Sequence, residues 1–184
     1  YYWDQLGPSR MEQLVRLPLE YELMLSGRRI RLFHGRPVME KLIPVQSDIS
    51  LIEPFFQDEK GGRYDVVGYA DAHRQGWRTI TPGVFFNTGS VGNAMGIPKC
   101  CYALLEGEEG EQPAPFEIRF RQLEYDREQA VRDALAAPKI PLINAYIHEL
   151  KTGIYSRRPA AGGSPSAASP AEQPAQVIPP SGGR

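Results

Sequence analysis

Apolar and polar positions along the chain recur with a period of two in some segments and with the period of a helix in others, and these periods divide it into predicted elements. Ser9-Arg-Met-Glu-Gln-Leu-Val-Arg-Leu17 sets a serine where a helix begins and Glu12 three residues later, a capping-box arrangement ahead of Pro18, which stops the helix. Segments 19–25 and 29–33 alternate, and Ser26-Gly27 between them has the composition of a hairpin turn. Residues 47–57 predict a helix capped by Ser47 or Asp48, with Pro54 working against its continuation. Four more strands are expected over 64–68, 77–81, 84–87 and 100–106. Segment 116–123 alternates strictly, with Phe116, Ile118 and Phe120 on one face and charges on the other, which predicts an edge or outer strand with one wet face. Helical spacing then covers 126–135 and 142–150, the second through Leu142, Ile143, Tyr146, Ile147 and Leu150, and this reading sets His148 beside Glu149 on the polar side.

The pattern ends at Pro159. From there to Arg184 the chain is almost wholly Pro, Ala, Gly, Ser and Gln, which cannot bury enough apolar surface to offset the entropy of ordering, so a disordered tail is expected, with a Pro-rich docking segment as its other use. The expected organisation is one domain over residues 1–156 and a tail over 157–184. Hydrophobic residues make up 41% of the 184 positions, enough for a packed core once the tail is set aside.

Charge changes the picture only by exclusion. The 21 basic and 22 acidic residues are interspersed, so no basic stripe points to nucleic acid or to an anionic membrane. Cys100 and Cys101 are adjacent within an apolar run, a spacing that suits neither a zinc site nor a disulfide framework, and they read as strand residues of a reducing compartment. No apolar run is long enough to span a membrane, and the expectation is a cytoplasmic protein. The chain opens on Tyr1 rather than methionine, which leaves room for an upstream segment carrying any targeting signal.

Candidate chemistry concentrates at strand ends. His34 follows the strand 29–33, and Asp71 and His73 follow the strand 64–68, the places where ligands collect in open α/β sheets. Asp71 and His73 are two residues apart, so on an extended backbone a carboxylate and an imidazole face the same way and could share a cation; with His34 the count of donors reaches three. Equally, a histidine after a strand often serves only as a hydrogen-bonded structural residue. His148 takes that second reading. Gly89 and Gly92 bracket Ser90 after a strongly apolar strand, which predicts a tight turn with positive φ; without a following helix this is neither a phosphate loop nor a nucleophile elbow, and a serine hydrolase is excluded.

Taken together, Leu32-Phe-His-Gly-Arg-Pro37, Val66-Val-Gly-Tyr-Ala-Asp-Ala-His73 and Phe86-Asn-Thr-Gly-Ser-Val-Gly92 resemble, in order and spacing, the last blocks of the calcineurin-like metallophosphoesterases, and more narrowly their small bacterial phosphodiesterase branch. In that branch a His-Gly-x-Pro block is followed by Gly-His-Thr-His and then by Asn-Pro-Gly-Ser-Val-Gly, and the distance from His73 to Asn87 matches. The resemblance implies an α/β (α+β) fold, the C-terminal part of a metallophosphoesterase β-sandwich flanked by helices. It implies a dinuclear centre of divalent ions, Mn, Fe or Zn, with His34 a ligand of the second metal and His73 of the first.

Asp71 stands where the family has its first histidine, a harder, anionic ligand expected to weaken the Lewis acidity of the cluster. Ala70, Ala72 and Thr88 replace a glycine, a threonine and a proline. The family's earlier Asp-x-His, Gly-Asp and Gly-Asn blocks do not occur before His34, so the chain resembles the C-terminal half of the enzyme. The implied function is metal-dependent hydrolysis of a phosphoester small molecule by a metal-activated water, with an incomplete site and little activity in this chain. A non-catalytic scaffold on the same fold, as in the retromer subunit, is the other implication. Arg36, beside His34, could meet a substrate phosphate as a two-pronged donor or simply be an exposed arginine. No nucleic-acid or membrane partner is indicated, and the oligomeric state is open.

Overall fold

The hairpin that begins the sheet shows how local sequence sets the architecture. β1 (Glu20–Leu25) and β2 (Arg28–Phe33) pair antiparallel through Ser26 and Gly27, whose φ values of 52° and 72° make the turn that matches the twist of the strands. Ser26 accepts this left-handed conformation because its side chain is used: Oγ donates to the carbonyl of Pro115 and accepts from the amide of Glu108. The computed structural model describes residues 2–137 and 140–156. The expected tail lies outside the described residues.

From β2 the chain runs through α2 (Ile49–Ile52) and a 3-10 turn (Glu53–Phe56) into β3 (Val66–Tyr69), β4 (Gly76–Thr79) and β5 (Val84–Asn87). The five strands form one sheet in the order β1-β2-β3-β5-β4. β2, β3 and β5 are mutually parallel, with antiparallel β1 and β4 on the two edges. All four residues of β3 are buried, as a central strand covered on both faces requires.

On one face Val67 and Tyr69 join Phe33, Phe56 and Phe85 in the larger core cluster, which the 38–56 segment covers. Tyr69 stacks on Phe85 with ring centroids 4.8 Å apart. On the other face Ile30, Val66 and Phe86 meet β6 (Cys100–Gly107) and β7 (Phe116–Leu123), an antiparallel pair that contributes Ala103, Leu105, Phe116, Ile118 and Phe120. Two sheets thus pack face to face, and the strictly alternating 116–123 segment lies in the outer one with its charged face in water. Gly68 is a glycine because the Phe86 ring lies across it: a Cβ there would come within 2.4 Å of the ring.

Three expectations are corrected. Gly7 breaks the first helix, α1 (Tyr2–Val15), with φ 74° and ψ 166°, so the predicted helical run starts at Pro8, a residue suited to the first turn, and ends at Val15 instead of Leu17. The predicted 47–57 helix divides at Glu53, because Pro54 has no N–H to continue the α-helical ladder, and Asp48 occupies the cap position without a side-chain cap bond. In the final pair, α3 (Arg127–Ala136) is capped by Asp126, which accepts from the Gln129 amide, and α4 (Ile143–Thr152) ends on left-handed Gly153. The correction in α4 concerns Glu149, which is fully buried rather than on the polar side, while His148 is exposed as expected.

Candidate metal-binding corner

Because β2, β3 and β5 run parallel, their C-terminal ends share one edge of the sheet, and the residues after Phe33, Tyr69 and Asn87 gather there. The first two loops are stitched together at once. The carbonyl of His34 accepts hydrogen bonds from the amides of both Ala70 (2.9 Å) and Asp71 (2.8 Å). Gly35, buried, has the Asp71 side chain pressed on it: a Cβ at 35 would lie 2.3 Å from Asp71 Cβ and 2.8 Å from its Cγ. The His34-Gly35 turn and Asp71 are therefore neighbours, and a glycine is needed for their approach. His34 and Arg36 themselves are exposed, and the Arg36–Pro37 peptide bond is cis.

His73 is held differently. It has a left-handed backbone, φ 54°, in a turn closed by its own amide on the Ala70 carbonyl. Its Nδ1 lies 3.0 Å from the backbone carbonyl of Asn93. A carbonyl oxygen can only accept, so the bond needs a proton on Nδ1, and in the neutral form of the ring the lone pair is then on Nε2. This is the arrangement in which imidazoles serve as metal ligands, one nitrogen tied to a carbonyl and the other presented. The loop beyond is fixed to the second sheet by Gln75, whose Nε2 donates to the carbonyls of Thr88 and Tyr102.

The third strand end supplies a floor. Asn87 is fully buried, and its Oδ1 accepts from the Gly89 amide at 2.9 Å. Gly89 has φ 79°, as the turn reading predicted, whereas Gly92 does not share that conformation. A Cβ on Gly89 would also meet Cys101 Cβ at 2.6 Å. Ser90 is used structurally: its Oγ accepts from the Asn93 amide and its carbonyl from the Cys101 amide. Beneath the corner, the Tyr69 hydroxyl donates to the Ile43 carbonyl at 2.6 Å. Burial lifts this phenol far above the ordinary tyrosine range, and the nearby Asp71 carboxylate pushes it the same way.

As donors, two imidazoles and a carboxylate suit manganese, iron or zinc. Among the described residues, however, no group of three His, Cys, Asp or Glu side chains stands close enough to hold a metal ion. The structure brings Asp71 to the His34 turn and turns the His73 ring to Asn93. Two residues of this corner had no weight in the sequence reading: Asn93, inside a loop without periodicity, and Glu149. Glu149 had a signal, since it lies three residues beyond Tyr146 and so shares that half-buried residue's side of α4.

No protein-family model matches the chain, and no curated protein does. Solved structures do match. A hypothetical protein from Pyrococcus horikoshii superposes with a TM-score of 0.63 at 23% identity, over 84% of this chain and 58% of that one. A metallophosphoesterase from Sphaerobacter thermophilus superposes with a TM-score of 0.58 at 15% identity, over 83% of this chain and 65% of that one. The chain thus spans less than two thirds of either structure's length. No helix among the described residues is long and apolar enough to cross a membrane. What is shared at this level of identity is architecture, and on it the chain has the calcineurin-like metallophosphoesterase fold.

Proposed function

We propose that the chain contributes His34, Asp71 and His73 to a divalent-metal centre for phosphoester hydrolysis, with too few donors of its own to make the centre complete. The observation that carries this reading is His73, held by Asn93 in the Nδ1–H form with Nε2 left as a donor, at the same sheet edge as His34 and Asp71. Divalent ions in such a centre supply Lewis acidity and lower the pKa of a bound water. The protein's own part is to fix donor positions: the His34 carbonyl ties the two loops, Gly35 lets Asp71 approach, and the left-handed turn at His73 aims the ring. Arg36, exposed beside this edge, suits contact with a phosphate oxygen. Manganese, iron and zinc all match the donor types, and the substrate class is a phosphoester small molecule.

The test is metal binding and turnover of the purified chain. Calorimetric titration with manganese should show weak binding that His73→Ala removes, and hydrolysis of bis-p-nitrophenyl phosphate should be slight. Absence of any divalent-ion binding would overturn the donor assignment; robust turnover abolished by His73→Ala would overturn the incomplete centre. A second reading, a non-catalytic binding module on the same fold, is favoured by the packing of Asp71 on Gly35, which gives that carboxylate a structural use. Under that reading, manganese has no effect on the chain and Asp71→Asn costs stability without changing ion binding.

A further inference from the structure

Among the described residues the buried polar side chains are Ser26, Asn87, Asn93 and Glu149. Ser26 and Asn87 serve turns, as above. Glu149 is the anomaly: an ionisable residue with no exposed surface, which is costly unless its oxygens are bonded. They are bonded, and the partners lead to His73. Glu149 Oε2 accepts from Asn93 Nδ2 at 2.9 Å, and Oε1 accepts from the Ser156 amide at 3.1 Å. Asn93 is the same residue whose carbonyl receives the His73 Nδ1 proton at 3.0 Å.

Further bonds make the assembly a clamp. The Met95 amide donates to the His73 carbonyl, and the Gly96 amide donates to the carbonyl of Gly153, the left-handed cap of α4. A Cβ at Gly153 would stand 3.1 Å from the Ile97 amide nitrogen, so helix end and loop are in close contact. The 93–97 loop is therefore gripped between α4 and His73. It has no periodic structure of its own, and what fixes the Asn93 carbonyl is the side-chain bond to Glu149 together with the amide bond to Ser90 Oγ.

We infer that Glu149 is a positioning residue for His73: by holding the Asn93 side chain it aims the Asn93 carbonyl at Nδ1, and so sets the tautomer that leaves Nε2 outward. Its functional weight rests on the reading of His73 as a metal donor; the clamp itself does not. The Asn93 Oδ1 atom is buried without a hydrogen-bond partner, which decides how variants behave. In Glu149→Gln the amide can donate to that oxygen after Asn93 rotates, while its own oxygen still accepts from Ser156. The clamp survives. In Glu149→Ala nothing holds Asn93. In Asn93→Asp two carboxylates face each other, and Asn93→Asp with Glu149→Gln restores a donor to an acceptor.

The experiment is a ¹H–¹⁵N correlation of the imidazole nitrogens in the metal-free full chain, at a pH where the ring is neutral. His73 should show a protonated Nδ1 in the wild type and in Glu149→Gln, and lose it in Glu149→Ala. A folded Glu149→Ala that keeps the Nδ1–H form overturns the inference, as does an Nε2–H form in the wild type. Should Glu149→Ala fail to fold, the Asp variant decides: loss of the Nδ1–H signal in Asn93→Asp and its return in the double variant support the clamp, and identical tautomers in the two overturn it. Manganese titration of the wild type is scored separately. No ion binding with an intact tautomer response would end the metal proposal and leave the clamp standing.

Discussion

The two histidine corners at the sheet edge are built on opposite plans. His34 follows β2 directly, its ring is exposed, and the corner is held by its main chain: one carbonyl taking two amides, and a glycine on which Asp71 rests. His73 stands four residues past the end of β3 on a strained left-handed backbone, and its ring is fixed through Asn93 to a buried carboxylate on α4. The first corner therefore depends on close approach, and the second on a polar chain reaching across to another element. Side chains that must be aimed need a support of their own, and here only the His73 ring has one.

Both corners rest on the same floor, which gives the largest expected effect. Phe85 is fully buried, stacks on Tyr69 at 4.8 Å and on Phe55 at 6.2 Å, and lies against Phe56. Phe85→Ala should lower unfolding free energy by about 3–5 kcal/mol, and in urea titrations it should loosen the two corners together. If the His34 turn were disturbed and the His73 ring were not, the shared floor would be wrong.

Gly35→Ala separates the corners. The new methyl would overlap Asp71 Cβ and Cγ, and both are backed by main chain, so the loops must part. A loss of about 1–3 kcal/mol is expected, the cost of overpacking a tight site. Amide shifts should change at Ala70 and Asp71 while the His73 imidazole keeps its Nδ1–H signal; a change of tautomer there would mean that the corners are not independently held.

This difference also explains what could be read from the residues alone. The residues of the His34-Gly35 corner were legible because each is marked by its own strand end: an alternating strand followed by His-Gly, and an Asp-x-His after the next strand. The strands themselves were legible for the same reason, since alternation in β7 and unbroken burial in β3 follow from period two. The support of His73 was not legible. Asn93 and Glu149 have β6, β7 and α3 between them along the chain and meet only because α4 folds back over the 93–97 loop. A glutamate beside an exposed histidine reads as polar surface unless the tertiary partner is known, even though its position on α4 sides with Tyr146. Pro54 and Gly7 were visible as residues, yet the outcome, a 3-10 turn in one case and a helix restart in the other, depends on backbone geometry that periodicity does not carry.

The smallest effect lies at the opposite end of β3 and tests whether the sheet edge is electrostatically separate from it. Just before β3, Tyr64 donates to Glu22, and Arg29 lies over its ring at 4.4 Å while pairing with Glu22 and Asp58. Burial, followed by the Glu22 bond, pushes the Tyr64 phenol from its ordinary 10.0 up to about 12. The folded chain thus holds this proton more tightly than the unfolded one, so the contribution is fully present below about pH 10 and is lost as the pH rises towards 12. Glu22 has the opposite sign: the Tyr64 hydroxyl, then Arg29, hold its carboxyl below the ordinary 4.5, so its contribution is present above that value and fades as the pH falls through the lowered one. Tyr64→Phe should therefore make the urea-midpoint profile shallower at both ends without flattening it, because Tyr69, Tyr125 and Cys101 are raised as well and Asp58, Glu117 and Glu124 are lowered as well. The His73 tautomer should be indifferent to the change. A shift of that signal in Tyr64→Phe would show that the two ends of the strand are coupled, and the His73 support would then extend beyond Asn93 and Glu149.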